Sequence, residues 1–131
     1  MKKTTLLNQA LSEVVAGMGH TDLLVIGDYG LPCPHGVRRI DLALRPGMPA
    51  FLDVVETVLT ELHAEAAIVA RETAERNPEV AEGLNRILGG VPVETVSHEE
   101  LKQISGRAVA LVRTGECSPY ANVILRAGVT F

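Results

Sequence analysis

Five polar side chains that can handle a proton or a hydroxyl group lie beside short apolar segments of this chain. His20 precedes the run LLVIG and Asp28 follows it directly, while His98 comes one residue after VPVETV. Tyr120 and Asn122 close the segment RTGECSPYAN, which follows the apolar run AVALV. Imidazole both donates and accepts a proton near neutral pH, and carboxylate, phenol and amide groups bind hydroxyls. The set therefore favours acid and base chemistry without redox groups.

Each of these residues also has an ordinary structural explanation. Asp28 is a common turn former, His98 suits the exposed first turn of a helix, and His20 can cap the carbonyl end of a helix. Tyr120 and Asn122 can be plain loop residues. The occurrence of polar residues after three separate strands favours a functional site. Ligands of open parallel sheets bind outside the carboxyl ends of the strands, and Asp28, His98 and the RTGECSPYAN segment fall there.

Alternating helix and strand patterns must position these residues. Helical spacing of Leu7, Leu11, Val14, Val15 and Met18 predicts a first helix, with Gly19 as its left-handed stop before His20. LLVIG and AAIVA are typical of buried strands, and RRIDLAL, VPVETV, AVALVR and NVILRAG indicate further strands. The other predicted helices begin near Ala50, at Asn77-Pro78 and at Ser97, whose spacing to Glu100 is that of a capping box.

This alternation predicts an α/β fold, in which a mostly parallel sheet carries helices on both faces. A length of 131 residues with 47% hydrophobic content fits a single compact domain over residues 1–131. Lys102, one helical turn after His98, is a weaker candidate for binding a hydroxyl or for holding Asp28.

Composition argues against several classes of partner. A net charge of −4 and only four aromatic residues do not suit nucleic acid, which requires a basic face and stacking rings. No apolar stretch approaches the ~20 residues that span a bilayer, so we expect no membrane partner. The segment MKKTTLLNQALSEV carries Glu13 where a signal peptide stays apolar, and we expect a cytoplasmic protein. Cys33 and Cys117 form no CxxC motif and are expected to be free thiols.

Several enzyme motifs are absent from the sequence. GDYGLP lacks the G-x-G-x-x-G pattern of dinucleotide-binding proteins, and SHEELK lacks the second histidine of an H-E-x-x-H zinc site. No G-x-S-x-G nucleophile elbow occurs. Dinucleotide-dependent, zinc hydrolase and serine hydrolase chemistries are therefore disfavoured.

Several blocks of sequence resemble one known family. GHTD, GDYGLPCP, IDLAL, PGMPAF, SHEELK and above all RTGECSPYANVIL, in this order, are similar to the ribose pyranase and fucose mutarotase family over essentially the whole chain. The resemblance implies a cytoplasmic, cofactor-free and metal-free isomerase that interconverts the pyranose and furanose forms of D-ribose. It also implies a homodecamer built of two pentameric rings.

The same resemblance makes His20 the catalytic acid and places Asp28, His98, Tyr120 and Asn122 around the sugar. A cyclic hemiacetal opens when one group removes the anomeric proton and another protonates the ring oxygen, which imidazole can do. Two alternatives stay open: a sugar-binding or transport-accessory protein without catalysis, and a mutarotase for another sugar such as fucose.

The spacing of His20 and Asp28 poses a geometric problem. A strand advances about 3.3 Å per residue, so residues 23–27 alone hold the two side chains roughly 17 Å apart. A ribose ring cannot bridge that distance. Either the chain after Gly19 folds back sharply, or His20 of one subunit faces Asp28 of its neighbour.

Overall fold

The computed structural model describes all 131 residues and contains five helices and six strands. In chain order these are α1 (Gln9–Gly17), β1 (Leu23–Gly27), β2 (Arg38–Asp41), α2 (Phe51–Leu59), β3 (Ala64–Ala70), α3 (Arg71–Arg76), α4 (Pro78–Leu88), β4 (Val93–Val96), α5 (His98–Ser105), β5 (Ala110–Arg113) and β6 (Val123–Ala127). The predicted strands are all present, and the single compact α/β domain that the alternation predicted is confirmed. No helix has the length and apolar character needed to cross a membrane.

The six strands form one mixed sheet in the order β2-β5-β1-β6-β3-β4. Five strands run in one direction, as predicted, while β6 lies antiparallel between β1 and β3. We call the edge where β1 to β5 end and β6 begins the carboxyl edge, and the opposite edge the amino edge. Because β6 runs against its neighbours, residues before it lie at the carboxyl edge and residues after it at the amino edge.

Apolar side chains cover both faces of the sheet. Every residue of β1 is buried, and successive side chains point to opposite faces of the sheet. Leu24 and Ile26 therefore pack in one core, and Leu23 and Val25 pack in the other. Helices α1, α2 and α4 pack on the first core, and α5 packs on the second through Leu101. The predicted covering of both faces by helices is therefore confirmed, and β1 lies buried between the two layers, paired on both sides.

The turn after α1 differs from the prediction. The helix ends at Gly17, Met18 is extended, and Gly19 does not adopt a left-handed conformation. The positive φ angle of 73° falls instead on Thr21, whose amide donates to the Ala127 carbonyl at 2.9 Å. The Asp22 carboxylate also accepts the Gly19 amide at 2.7 Å. These bonds to a side chain and to β6, rather than a glycine cap, shape the turn that carries His20.

Two helix starts follow the sequence signals closely. The Ser97 hydroxyl accepts the Glu100 amide at 3.1 Å and the Glu100 carboxylate accepts the Ser97 amide at 2.9 Å, which completes the capping box. Asn77 caps α4, and its amide nitrogen also donates to Ser118 Oγ at 2.9 Å and the Pro119 carbonyl at 2.8 Å. The start of α4 therefore also anchors the loop that leads into β6.

This double role of Asn77 gives a prediction. Asn77→Ala removes a helix cap and leaves the Pro119 carbonyl without its donor, so we expect a loss of about 2 kcal/mol in the free energy of unfolding. Ser97→Ala, which removes only an exposed cap, is the matched control and is expected to cost about 1 kcal/mol. Urea unfolding measures both. Equal losses in the two variants would contradict the anchoring role of Asn77.

Candidate functional site

Asp28 and Asn122 meet at the carboxyl edge through adjacent strands. Asp28 follows β1, and Asn122 precedes β6, its antiparallel neighbour. The fully buried Asn122 accepts the Asp28 amide on Oδ1 at 3.0 Å, and its Nδ2 has no hydrogen-bond partner within the chain. Asp28 Oδ1 accepts the Gly30 amide at 2.9 Å, which fixes the turn expected there. The structure therefore brings these two predicted residues into direct contact.

Gly27 makes this contact possible because it has no side chain. A Cβ atom at this position would lie 2.6 Å from Asn122 Oδ1 and 2.6 Å from Leu31 Cδ2. Both distances are shorter than van der Waals contact, so any larger residue displaces one of the two side chains. The last residue of β1 is therefore adapted to the close approach of Asn122.

Tyr120 and His98 form a second pair at the same edge. Their rings pack edge to face with centroids 5.1 Å apart and planes at 83°. Tyr120 has a positive φ angle of 57°, and its carbonyl accepts the Thr73 hydroxyl at 2.8 Å and the Asn122 amide at 2.9 Å. These two hydrogen bonds hold the positive-φ conformation of Tyr120. The bond from the Asn122 amide also joins the Tyr120–His98 pair to the Asp28–Asn122 pair.

The backbone of His98 is fixed by α3. Its amide donates to Glu72 Oε2 at 2.9 Å, while its Nδ1 is buried and has no partner within the chain. The ring is half-buried rather than fully exposed, so the alternative of a freely exposed helix residue does not describe it. An unpartnered ring nitrogen beside a tyrosine is available to bind a hydroxyl group.

His20 lies at the amino edge, away from the other four predicted residues. The turn at Thr21 leads directly into β1, which runs extended to Gly27, so His20 and Asp28 are separated by roughly 17 Å of strand. The sharp turn therefore does not fold His20 back toward Asp28. It places the imidazole beside β3, where Nε2 lies 2.9 Å from Glu65 Oε2. His20 consequently does not cap the end of α1 either.

Glu65 links His20 to a second charge. Its Oε1 lies 3.0 Å from Nε of Arg126 on β6. The hydrogen bond with His20 holds the pKa of Glu65 below its usual range against the opposing effect of burial, and the charges of His20 and Arg126 act in the same direction. The carboxylate is therefore ionised at neutral pH and acts only as a hydrogen-bond acceptor.

The loop before Tyr120 is organised by Glu116, which the sequence analysis did not identify. Its carboxylate accepts the amides of Phe51, Cys117 and Ser118 at 3.1 to 3.2 Å. Burial acts to raise the pKa of Glu116, but these hydrogen bonds outweigh it and hold the pKa below its usual range. The sequence signal that could have identified Glu116 is an acidic residue in a loop rich in turn formers. Glu65 was also not identified, because a glutamate on a strand gives no such signal.

A shallow polar depression opens beside Asp28. Its volume is about 260 Å³, and its lining comprises Asp28, Tyr29, Gly30, Glu116, Cys117, Ser118 and Pro119. Three larger cavities, of about 300, 330 and 310 Å³, lie at residues 43–46, between α1 and α2, and between the start of α1 and Arg38. The depression is favoured as the functional site by its chemistry rather than its size, because it contains the predicted Asp28.

Lys102 does not bind Asp28 in the structure, since its Nζ pairs with Glu99 at 2.6 Å.

Comparison with known proteins assigns the chain to a family. The family model described as the RbsD / FucU transport protein family matches residues 1–130. The chain belongs to this family. It is 88% identical over 131 residues to a D-ribose pyranase of Symbiobacterium thermophilum and 56% identical to one of Coprothermobacter proteolyticus, with full coverage of both chains in each case.

Two solved structures have the same fold. Bacillus subtilis RbsD complexed with D-ribose matches with a TM-score of 0.97 and 46% identity, covering 100% of both chains. The fucose mutarotase of Streptococcus pneumoniae in complex with L-fucose matches with a TM-score of 0.84 at 20% identity, again over 100% of both chains. The second match concerns the fold alone. The resemblance noted in the sequence is thereby confirmed at the level of the family.

The close approach at Gly27 yields a prediction. Gly27→Ala forces Asn122 or Leu31 aside and is expected to lower the free energy of unfolding by about 1 to 3 kcal/mol. Gly17→Ala is the matched control, because nothing lies within 4 Å of its added Cβ at the end of α1. The control is expected to be neutral or slightly stabilising. Urea unfolding checks both, and a neutral Gly27→Ala variant would contradict the constraint.

Proposed function

We propose that this protein acts as a D-ribose pyranase, an isomerase that interconverts the pyranose and furanose forms of free D-ribose. The observation that carries the proposal is the 88% identity, over the full length, to a protein of that name. The TM-score of 0.97 to a ribose-complexed relative supports a sugar as the ligand. The side chains at the carboxyl edge supply the acceptors and donors that sugar hydroxyls require.

The reaction requires only proton transfers. A base removes the proton from the anomeric hydroxyl, the bond between the anomeric carbon and the ring oxygen breaks, and the ring oxygen takes up a proton. The resulting aldehyde is then attacked by a different hydroxyl, which gives the other ring size after the reverse transfers. A positioned acid or base contributes about 10²- to 10⁴-fold in rate, which suffices for a reaction that also proceeds unaided.

The proposed roles follow from the chemistry of each group. His20, half-exposed at the amino edge, is the acid that exchanges the proton with the sugar. Asp28, His98, Tyr120 and Asn122 bind the sugar at the carboxyl edge through carboxylate, imidazole, phenol and amide groups. Asn122 has its Oδ1 engaged with the Asp28 amide, so only its Nδ2 is left to meet a hydroxyl.

The position of His20 supports a site shared between two subunits. Within one chain His20 and Asp28 lie at opposite edges of the sheet, and β1 is too rigid to bring them together. A second copy can present its amino edge to the carboxyl edge of the first, because a ring is built from contacts between two different surfaces of the same chain. We therefore place each site between two subunits, in the homodecamer of two pentameric rings implied by the family resemblance.

The cellular location and the partners of the protein are part of the same proposal. We place it in the cytoplasm, where free ribose would be its small-molecule partner, and assign it neither a nucleic-acid nor a membrane partner. The net charge of −4 supports the first exclusion.

The role of His20 gives a direct test. His20→Ala removes the exchanging group but little packing, because the side chain is 53% exposed. We expect the fold and sugar binding to persist while ring exchange falls by about 10²- to 10⁴-fold, as measured by NMR saturation transfer between ribose ring forms. His35→Ala, an exposed histidine in another loop, is the control and should exchange ribose normally. A fully active His20→Ala would contradict the assignment, and an inactive wild type that binds ribose would indicate a sugar-binding protein instead.

Mixing inactive variants tests the shared site. Rings reassembled from equal amounts of His20→Ala and Asp28→Ala chains should regain about a quarter of wild-type activity, since one in four interfaces then joins an intact His20 to an intact Asp28. His20→Ala mixed with His20→Gln is the control and should regain none. Absence of recovery, with mixed rings verified by native mass spectrometry, would show that each site is built within one chain.

A further inference from the structure

The side chain of His20 is held by a carboxylate on another strand. Its Nε2 lies 2.9 Å from Glu65 Oε2, although both side chains are partly exposed, at 53% and 32%. Nothing else in the chain forms a hydrogen bond with the imidazole. The contact joins residues 45 positions apart in the sequence, so the fold rather than local chain geometry creates it.

The local structure of β3 directs Glu65 toward His20. The register between β3 and β6 shifts between Ala64 and Ala66, so Glu65 is the extra residue of a β-bulge opposite Arg126 and Ala127. Bulges re-aim a side chain and are common beside active sites. Here the extra residue points its carboxylate at His20 on one side and at Arg126 Nε, 3.0 Å away, on the other.

Gly128 leaves the space that this arrangement needs. A Cβ atom on Gly128 would lie 2.8 Å from Glu65 Cβ and 2.9 Å from the His63 ring. The Gly128 amide donates to the His63 carbonyl at 2.9 Å, which fixes the chain directly after β6. The bulge, the glycine and the arginine therefore act together on the position of one carboxylate.

We infer that Glu65, anchored by Arg126, is a positioning residue that orients His20 and sets its tautomer. The inference rests on the proposed function of His20. An ionised carboxylate only accepts hydrogen bonds, so the proton of the neutral imidazole resides on Nε2 and the lone pair on Nδ1. Nδ1 is then the atom through which the imidazolium gives its proton to the ring oxygen and takes it back when the ring recloses, while the carboxylate stabilises the imidazolium through Nε2.

The charged groups around His20 define which of them can orient its imidazole. Glu65 from β3 contacts the imidazole, Arg126 from β6 pairs with Glu65, and Asp22 lies in the same turn as His20. The Asp22 carboxylate is engaged with the Gly19 amide at 2.7 Å, and His63 packs beside Gly128 at the start of β3. Of the nearby acidic groups, only Glu65 contacts the imidazole.

Replacement of Glu65 by glutamine tests the inference. Glu65→Gln keeps the size and a hydrogen-bonding group but removes the charge, so we expect kcat for ring exchange to fall about 10- to 100-fold with little change in KM. Glu65→Asp should restore part of the activity. Glu61→Gln, which removes the charge of a partly exposed, ion-paired glutamate on the loop after α2, is the control and should leave kcat unchanged.

A readout independent of activity separates this inference from the proposed function. Nitrogen-15 NMR of histidine-labelled protein, with His20 assigned by the His20→Ala variant, reports which ring nitrogen carries the proton. We expect the Nε2-protonated tautomer in the wild type and a mixture in Glu65→Gln. An unchanged tautomer in Glu65→Gln, or an unchanged kcat, would overturn the inference. A wild type that shows the tautomer but no exchange would instead overturn the function.

Discussion

The antiparallel pairing of β6 with β1 and β3 is the interaction on which both halves of the candidate site depend. The start of β6 brings Tyr120 and Asn122 to the carboxyl edge, where Asn122 accepts the Asp28 amide. Its end brings Arg126 to Glu65 and the Ala127 carbonyl to the Thr21 amide, beside His20. One strand of five residues therefore organises the side chains at two opposite edges of the sheet. A parallel strand in its place would leave one of these edges without its partners.

Because β1 separates the two edges, the residues at its two ends have different proposed roles. Its five residues are buried, paired on both sides and packed between two cores, so the distance between its ends is fixed. The group proposed for proton transfer and the groups proposed for sugar binding consequently cannot meet in an isolated chain. In the proposed ring of identical subunits each chain would supply one half of two sites, and assembly would complete them without any change of fold.

Much of the fold could be predicted because its signals are local. The capping box at Ser97, the Asn77-Pro78 helix start and the run LLVIG depend on neighbours in sequence, and all three have the predicted structure. Helix α3 was missed because six residues between β3 and the next cap are too short to show a period. The Gly19 stop was wrong because Asp22 and β6, which the pattern of glycines does not report, determine that turn.

The candidate site was predictable only in part, because some of its contacts join residues far apart in the sequence. Strand ends identified four polar residues that lie at one edge, since parallel strands align their carboxyl ends. Glu65 could not be found in this way, because its contact with His20 requires the direction of β6 and a bulge in β3, neither of which has a sequence signature here.

The two buried polar atoms at the carboxyl edge show how stability and function are balanced in this fold. His98 Nδ1 and Asn122 Nδ2 lack partners within the chain, and a buried polar atom without a hydrogen bond costs about 1 to 3 kcal/mol. The structure tolerates both because each residue is held by other bonds, His98 through the Glu72 carboxylate and Asn122 through the Asp28 amide. Groups fixed in this way lose little further freedom when a hydroxyl binds, and a ligand that lacks that hydroxyl leaves them unpaired. In the proposed sugar site, selectivity among sugars therefore depends on the hydrogen bonds that the chain alone does not make.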